Sequence, residues 1–332
     1  MTRPHALLAM SPTLPAQLFT PELRDRLTAV LDLDATSVVQ DWSALADEEL
    51  ARTAVIVTGW GAPPLTGDVL RRMPALRAVV HTAGSVRGLI PAEAITDRDL
   101  LVTSAAGENA VPVAEYTLAQ IILARKSARR REERLRTSRG QDRSWDPARD
   151  GNHGATIGLI GASRIGRRVA ELLRPLDLGV LISDPYASAE DIEALGAQKV
   201  ELPELFDRCD VISVHAPDLP STRGLVSADL LARMRDGATL INTARPALVD
   251  HDALRAEVLA GRLDAVLDVN ENLGPDDPLW DAPNVILTPH IAGSLGNELH
   301  RMATAAVVEA ERWVQGLPPL APVDPATFHI TA

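Results

Sequence analysis

The chain has 332 residues, of which 46% are hydrophobic, 3% aromatic and 23% charged, and it carries a net charge of −12. That length exceeds what one core usually serves, so two domains are expected, with Ala, Val, Leu and Ile building strands covered on both faces by helices. The acidity argues against general nucleic-acid binding, no apolar run approaches the ~20 residues of a membrane helix, and the single cysteine, Cys209, excludes an internal disulfide and fits a reducing cytoplasm.

The opening "MTRPHALLAMSP" has too short an apolar stretch for a signal peptide and reads as a first strand, "HALLAM". Strands follow at "TAVIVTG", "LRAVVHTAG" and "LLVTSAA", with helical patterns such as "PELRDRLTAVL" and "LTGDVLRRM" between them. From Asn109 the pattern changes to one long helix, "AVPVAEYTLAQIILARKSARRREERL", followed by a loop containing Trp145 that reaches Gly154. A second series has strands at "TIGLIG", "GVLISD", "VISVHAP", "ATLINTA", "DAVLDV" and "NVILTPH". It closes with the helix "LGNELHRMATAAVVEAERWVQGL" and a Pro-rich tail. Alternation of this kind predicts parallel sheets with helical crossovers in two α/β units.

Two features within this pattern read as structural. Cys209 leads into an apolar strand without a basic partner beside it, and is expected to be a small buried hydrophobe. The arginines of "RKSARRREERLRTSRGQDR" lack an aromatic for base stacking, and Glu132 and Glu133 stand at helical spacing from Arg129, Arg130 and Arg136. A solvated or subunit-facing helix is the expectation there.

"GLIGASRIG" lies between a buried-strand pattern and a helix opening, where a dinucleotide-binding turn belongs. Gly161 permits the tight turn and Gly166 close helix–sheet packing, while the helix N-terminus offers amides to a pyrophosphate, with Arg164 and Arg167 nearby. Ser163 replaces the middle glycine. Its Cβ adds steric bulk and its hydroxyl a possible phosphate donor, so weaker or displaced binding is expected, not abolition. Asp184 ends the next strand, 18 residues after Gly166, close to the spacing of about 20 for a ribose-binding acid. With no arginine immediately following, NAD is favoured over NADP. A turn or capping role is the competing reading of Asp184.

Ligands of open parallel sheets lie beyond the carboxyl ends of the strands. "ATLINTA" runs into Arg245, "DAVLDV" reaches Glu271 after a short connection, and "NVILTP" delivers His290. Together they suit reduction of a 2-keto acid. A guanidinium can fork onto a carboxylate and polarise the ketone, and a histidine can supply the proton. A carboxylate beside the imidazole would favour its charged form and orient it. Taken singly, a surface salt bridge, a loop acid and a strand-end histidine are the alternatives.

The chain resembles the D-isomer-specific 2-hydroxyacid dehydrogenase family over most of residues 76–315. The resemblance rests on "TIGLIGASRIGRRVAELL", "SVHAPDLPSTRGLVSADLLARMRDGATLINTARPALVD", "AVLDV", "PLWDAPNVILTPHIAG" and the interdomain helix "NAVPVAEYTLAQIIL". It implies two Rossmann-like or flavodoxin-like domains. Residues 1–108 and 298–332 would form a substrate domain, and residues 109–297 an inserted NAD domain that dimerises through its long helix. It also implies hydride transfer between NAD(H) and a 2-keto or D-2-hydroxy acid. By position, Arg245 becomes the substrate-binding arginine, His290 the acid/base and Asp184 the ribose acid. Gly161, Ser163, Arg164, Ile165 and Gly166 fall at the pyrophosphate. His215, Pro217, Thr222, Thr243, Asp268, His290 and Gly293 fall on the cofactor side, and Gly84, Ser85 and Arg87 in the substrate loop. No metal is implied.

Besides Ser163, three departures from the family pattern stand out. Pro246 replaces the usual glycine and biases Arg245 towards extended backbone. The loop "DVNENLGPDDPLW" is shorter than usual and lacks the Glu-Pro pair, leaving Glu271 as its one glutamate. "HTAGSVRG" replaces a glycine-rich loop followed by an acid, so that Arg87 either meets a second anionic group on the substrate or pairs with an acid such as Glu93. The rival to an enzyme is a catalytically weak NAD(H) sensor or co-regulator on the same fold; formate or phosphite oxidation is a third reading. The substrate and the physiological direction are not legible.

Overall fold

The structure, a computed structural model, describes residues 2–140, 150–328 and 330; the expected loop around Trp145 lies outside the described residues. The chain divides into two compact units, Met1–Ala110 with Ser294–Ala332, and Val111–Gly293, the second inserted in the sequence of the first. The sequence reading places these boundaries at 108/109 and 297/298.

In the first unit, β1 (Ala6–Ala9), β2 (Val55–Thr58), β3 (Ala78–His81) and β4 (Leu101–Ser104) form a parallel sheet in that order. Both edges are covered. Val39 bridges the outer side of Ala9, and the returning C-terminal segment pairs with β4 through Thr103 and Pro322. Alternate residues enter opposite cores: Leu8, Val55, Val57 and Val80 pack on one face, Leu7, Ala9, Ile56 and Val79 on the other. The helix Leu299–Val314 lies beside Pro21–Val30, clamped by a forked Arg26–Glu311 pair at 2.9 and 2.8 Å. Pro21 at the first turn and the Thr20 hydroxyl, accepting from the Leu23 amide, start Pro21–Val30.

Among its described residues the second unit holds seven parallel strands: β5 (Ala155–Ile160), β6 (Leu178–Ser183), β7 (Gln198–Lys199), β8 (Val211–Val214), β9 (Thr239–Asn242), β10 (Asp264–Leu267) and β11 (Val285–Leu287). Their order is β11-β10-β9-β8-β5-β6-β7. From β5 the chain runs outward in one direction and then returns to run in the other, so the strand order reverses between β5 and β8. Only β7, two residues long, was not expected from sequence. Cys209 is buried as expected, and burial pushes its thiol up to about 12, which keeps it inert.

The expected single helix from residue 110 to 135 is corrected. It is two helices, Ala106–Ala124 and Ala128–Ser138, separated at Ser127, whose φ of 47° is left-handed. Tertiary bonds end the first helix. Buried Arg125 donates from Nε to the Gly151 carbonyl at 3.1 Å, the Gly151 amide returns a bond to the Arg125 carbonyl, and Ser127 Oγ donates to Asp150. On the second helix Glu132 pairs with Arg136 and Glu133 with Arg129, whereas Arg130 pairs instead with Asp264 at the start of β10.

Candidate active site

The turn after β5 sits at the strand-order reversal. Gly161 has φ +101°, and a Cβ there would meet the His215 carbonyl at 3.1 Å. A Cβ on Gly166 would lie 2.1 Å from the Gly161 carbonyl oxygen, so helix and turn are in contact at a point where only hydrogen fits. Ser163 is different. Its φ of −65° and ψ of 176° are open to any residue, and its Oγ caps the helix Arg164–Leu173 by accepting from the Gly166 amide at 3.3 Å. The Arg164 and Ile165 amides remain as first-turn donors without an intrahelical acceptor. This close-packed turn at a helix N-terminus fits a dinucleotide's pyrophosphate. Arg167 is turned to structure, donating from Nε to the Ala162 carbonyl.

Asp184, just past β6, accepts from the Ala162 amide at 2.7 Å on one oxygen and from the Tyr186 and Ala187 amides at 2.7 and 2.9 Å on the other. It braces the glycine turn against its own loop. His215, just past β8, is buried with Nε2 unpartnered, and burial pushes its pKa down to about 3, so the ring is neutral. Thr222 Oγ1 donates to the Pro217 carbonyl at 2.6 Å and accepts from the Leu219 amide, closing the loop that follows. Thr243 Oγ1 lies 3.5 Å from Thr117 Oγ1 inside the unit.

Arg245, Glu271 and His290 follow β9, β10 and β11, three adjacent parallel strands, and so arrive at one sheet edge. His290 Nδ1 and Glu271 Oε1 are 2.7 Å apart, with both side chains about half exposed at 52% and 58%. Burial pushes the Glu271 carboxyl up, but its own backbone amide, the His290 bond and the charges of His290 and Arg245 together hold it below the usual range. Arg245 is extended at φ −146°, as the following proline requires, and its guanidinium donates to the Ala244 carbonyl. Asn242 closes this turn, donating to the Arg245 carbonyl at 2.9 Å and accepting from the Ala244 amide at 3.0 Å.

Two anchors compensate for the short loop carrying Glu271. Asn270 Nδ2 donates to the Leu267 and Thr288 carbonyls, and Arg255 holds Asp277 at 2.6 Å. His290 itself has φ +54°, left-handed backbone that is uncommon outside glycine and is stabilised here by Asp268. The Asp268 carboxylate is buried and accepts from Thr288 Oγ1 at 2.7 Å, the Ile291 amide at 2.8 Å and the Ala292 amide at 2.9 Å. Gly293 follows as the last residue of the unit.

Residues 118–292 match the sequence profile of the D-isomer specific 2-hydroxyacid dehydrogenase, NAD binding domain. The chain is a member of that family. It is 33% identical over 299 residues to an (S)-sulfolactate dehydrogenase of Chromohalobacter salexigens, covering 86% of this chain and 94% of that protein. It is 31% identical over 243 residues to a D-3-phosphoglycerate dehydrogenase of Archaeoglobus fulgidus, covering 72% of this chain and 46% of that one. The chain thus spans about half the length of the phosphoglycerate dehydrogenases it matches. A phosphoglycerate oxidoreductase from Rhizobium etli superposes with a TM-score of 0.81 at 25% identity, covering 97% of this chain and 99% of that one. The residues matching the NAD binding domain of this 2-hydroxyacid dehydrogenase family lie within the unit Val111–Gly293.

The loop of the other unit that carries Gly84, Ser85 and Arg87 follows β3. The Gly84 carbonyl accepts from Ser104 Oγ, and Ser85 Oγ accepts from the Arg87 amide at 3.2 Å. The Arg87 guanidinium donates to the Phe328 carbonyl at 2.5 Å and lies 5.8 Å from the centre of the Phe328 ring. Glu93, the acid suggested by sequence proximity, is replaced in that role by the chain's own tail. Tyr116, from the helix Ala106–Ala124, and Thr288 were not singled out by sequence, yet the Tyr116 hydroxyl stands 2.8 Å from Thr288 Oγ1 and so belongs to the Asp268 network. Only its place in "VAEYTL" marks it beforehand.

Proposed function

We propose that the protein interconverts a 2-keto acid and a D-2-hydroxy acid with NAD(H). NADH, when bound, would supply the hydride to the carbonyl carbon. Arg245 holds the substrate carboxylate in its guanidinium fork and polarises the ketone. His290 delivers the accompanying proton. Because Nδ1 faces Glu271, the mobile proton resides on Nε2, which donates in reduction and accepts in oxidation. Asp184 offers a carboxylate that would repel a 2′-phosphate, in line with NAD over NADP.

The observation that carries this reading is the 2.7 Å His290–Glu271 pair, joining the ends of β11 and β10, with Arg245 arriving at the end of the adjoining β9. Its test is NADH consumption at 340 nm with a panel of keto acids. His290→Asn should lower kcat by about 10²–10⁴-fold. Arg245→Ala should lower kcat/KM by more than about a hundredfold, as expected for loss of charge-assisted bonds. Tight NADH binding without turnover on any acid would instead favour a sensor. The related enzymes are named for 3-phosphoglycerate and sulfolactate, acids with a second anionic group. Arg87 is the residue we assign to such a group, which would displace the Phe328 carbonyl. An Arg87→Ala enzyme with unchanged KM for mono- and dianionic keto acids would end that assignment. A homodimer, implied by the family resemblance, belongs to the same reading and is checked by light scattering.

A further inference from the structure

Asp268 grips the His290 turn from both sides. Its carboxylate accepts from Thr288, two residues before the histidine, and from the Ile291 and Ala292 amides after it, while its carbonyl accepts from the His290 amide at 2.9 Å. The direction of the next bond follows from proton count. Thr288 has one hydroxyl proton and gives it to a carboxylate, which only accepts, so toward Tyr116 its oxygen is the acceptor and the phenol is the donor. Without that donor the threonine hydroxyl is free to choose another rotamer or partner. The carboxylate, 1% exposed, would then lose one of its three donors where water cannot replace it.

We propose that Tyr116 is a positioning residue for the reaction: its hydroxyl, donating to Thr288 Oγ1, fixes the Thr288–Asp268 bond that holds the left-handed turn carrying His290. This rests on the reading of His290 as the acid/base. Tyr116 touches no reacting atom in this scheme. It acts through two side chains, and removing it leaves the Arg245 turn and the glycine turn intact.

The test uses the full chain with Tyr116→Phe, Thr288→Val, Thr288→Ser and the Tyr116→Phe/Thr288→Val pair. Tyr116→Phe is expected to lower kcat about tenfold, the kinetic equivalent of one hydrogen bond. The keto-acid KM and the NADH Kd should stay within about twofold of the parent by the same reasoning, since neither binding contact is touched. Thr288→Ser keeps the hydroxyl and should retain activity, Thr288→Val should lose at least as much as Tyr116→Phe, and the pair should be no worse than Thr288→Val alone. Independently of turnover, amide exchange at Ile291 and Ala292 should accelerate in Tyr116→Phe while the other amides of the sheet are unaffected. Unchanged kcat with unchanged exchange overturns the proposal, as does strict additivity in the pair. If the parent enzyme reduces no keto acid, the functional reading fails, and the exchange rates still decide the role of Tyr116.

Discussion

At the scale of single residues, the His290–Glu271 pair is where electrostatics bears most directly on the proposed reaction. Glu271 is held below the ordinary carboxylate range, so it stays anionic as pH falls through the values at which a free glutamate would protonate. A depressed carboxyl contributes stability that is present above its unfolded pKa and lost as pH falls through the folded one. Here the group is exposed enough for solvent to screen most of that contribution. Under the proposed function its effect is on catalysis. Glu271→Gln removes a negative charge from beside the imidazole and should move the alkaline fall of keto-acid reduction to lower pH, with a lower kcat. A pH–rate profile identical to the parent's would mean that Glu271 does not support the histidine. The sequence placed Glu271 just past a strand end, as the one glutamate of an unusual loop, but did not show how that loop is held, because its anchors, Asp277 on Arg255 and Asn270 on Thr288, join residues that are not neighbours in the chain. For Asp184 the competing readings are compatible: one oxygen accepts the Tyr186 and Ala187 amides of its own turn, while the other accepts the Ala162 amide and keeps a second lone pair to offer.

At the scale of elements, the serine in the glycine turn is explained by its backbone. The middle position is extended with negative φ, so serine sits there without strain and caps the helix that follows. Ser163→Gly should therefore cost only a few tenths of a kcal/mol and Ser163→Ala about 1 kcal/mol, read from denaturant midpoints. Gly166→Ala forces a methyl into the Gly161 carbonyl and should cost about 1–3 kcal/mol or more, with NADH affinity falling as the turn shifts. Equal losses in Ser163→Ala and Gly166→Ala would contradict this account. The break at Ser127 shows the opposite case. Residues 110–135 are helical by pattern throughout, and the helix ends at Ala124 because Arg125 and Ser127 bond to Gly151 and Asp150 across the unit.

At the scale of the whole molecule, each unit holds a deeply buried neutral histidine, His81 in the first and His215 in the second. Burial lowers His81 to about 4, partly countered by a bond to the Ser85 backbone, and lowers His215 to about 3. A histidine whose folded pKa is depressed takes up a proton on unfolding, but not in the native state, between its folded value and the ordinary 6.5. In that window the unfolded chain binds more protons, so stability rises with pH and is lost on acidification. Thermal unfolding followed by calorimetry should show Tm falling steadily from about pH 6.5 toward pH 4, the window these two shifts define. A Tm flat across that range would show that neither ring is buried neutral.

Sequence by itself determined the alternation of strands and helices, the order of the two α/β series, the glycine turn, and the delivery of Arg245, Glu271 and His290 at the ends of successive strands. Those are local signals: strand and helix periods, a glycine pattern, and the rule that parallel strands point their carboxyl ends to one edge. Tertiary structure alone decided that Ser127 interrupts the long helix, that Arg87 rests on the Phe328 carbonyl, and that Asp268 ties Thr288, Ile291 and Ala292 around the histidine. Each of these depends on directional bonds between residues distant in the chain. Such bonds leave no periodic trace in a single sequence, and they form only once folding has removed water as the competing partner.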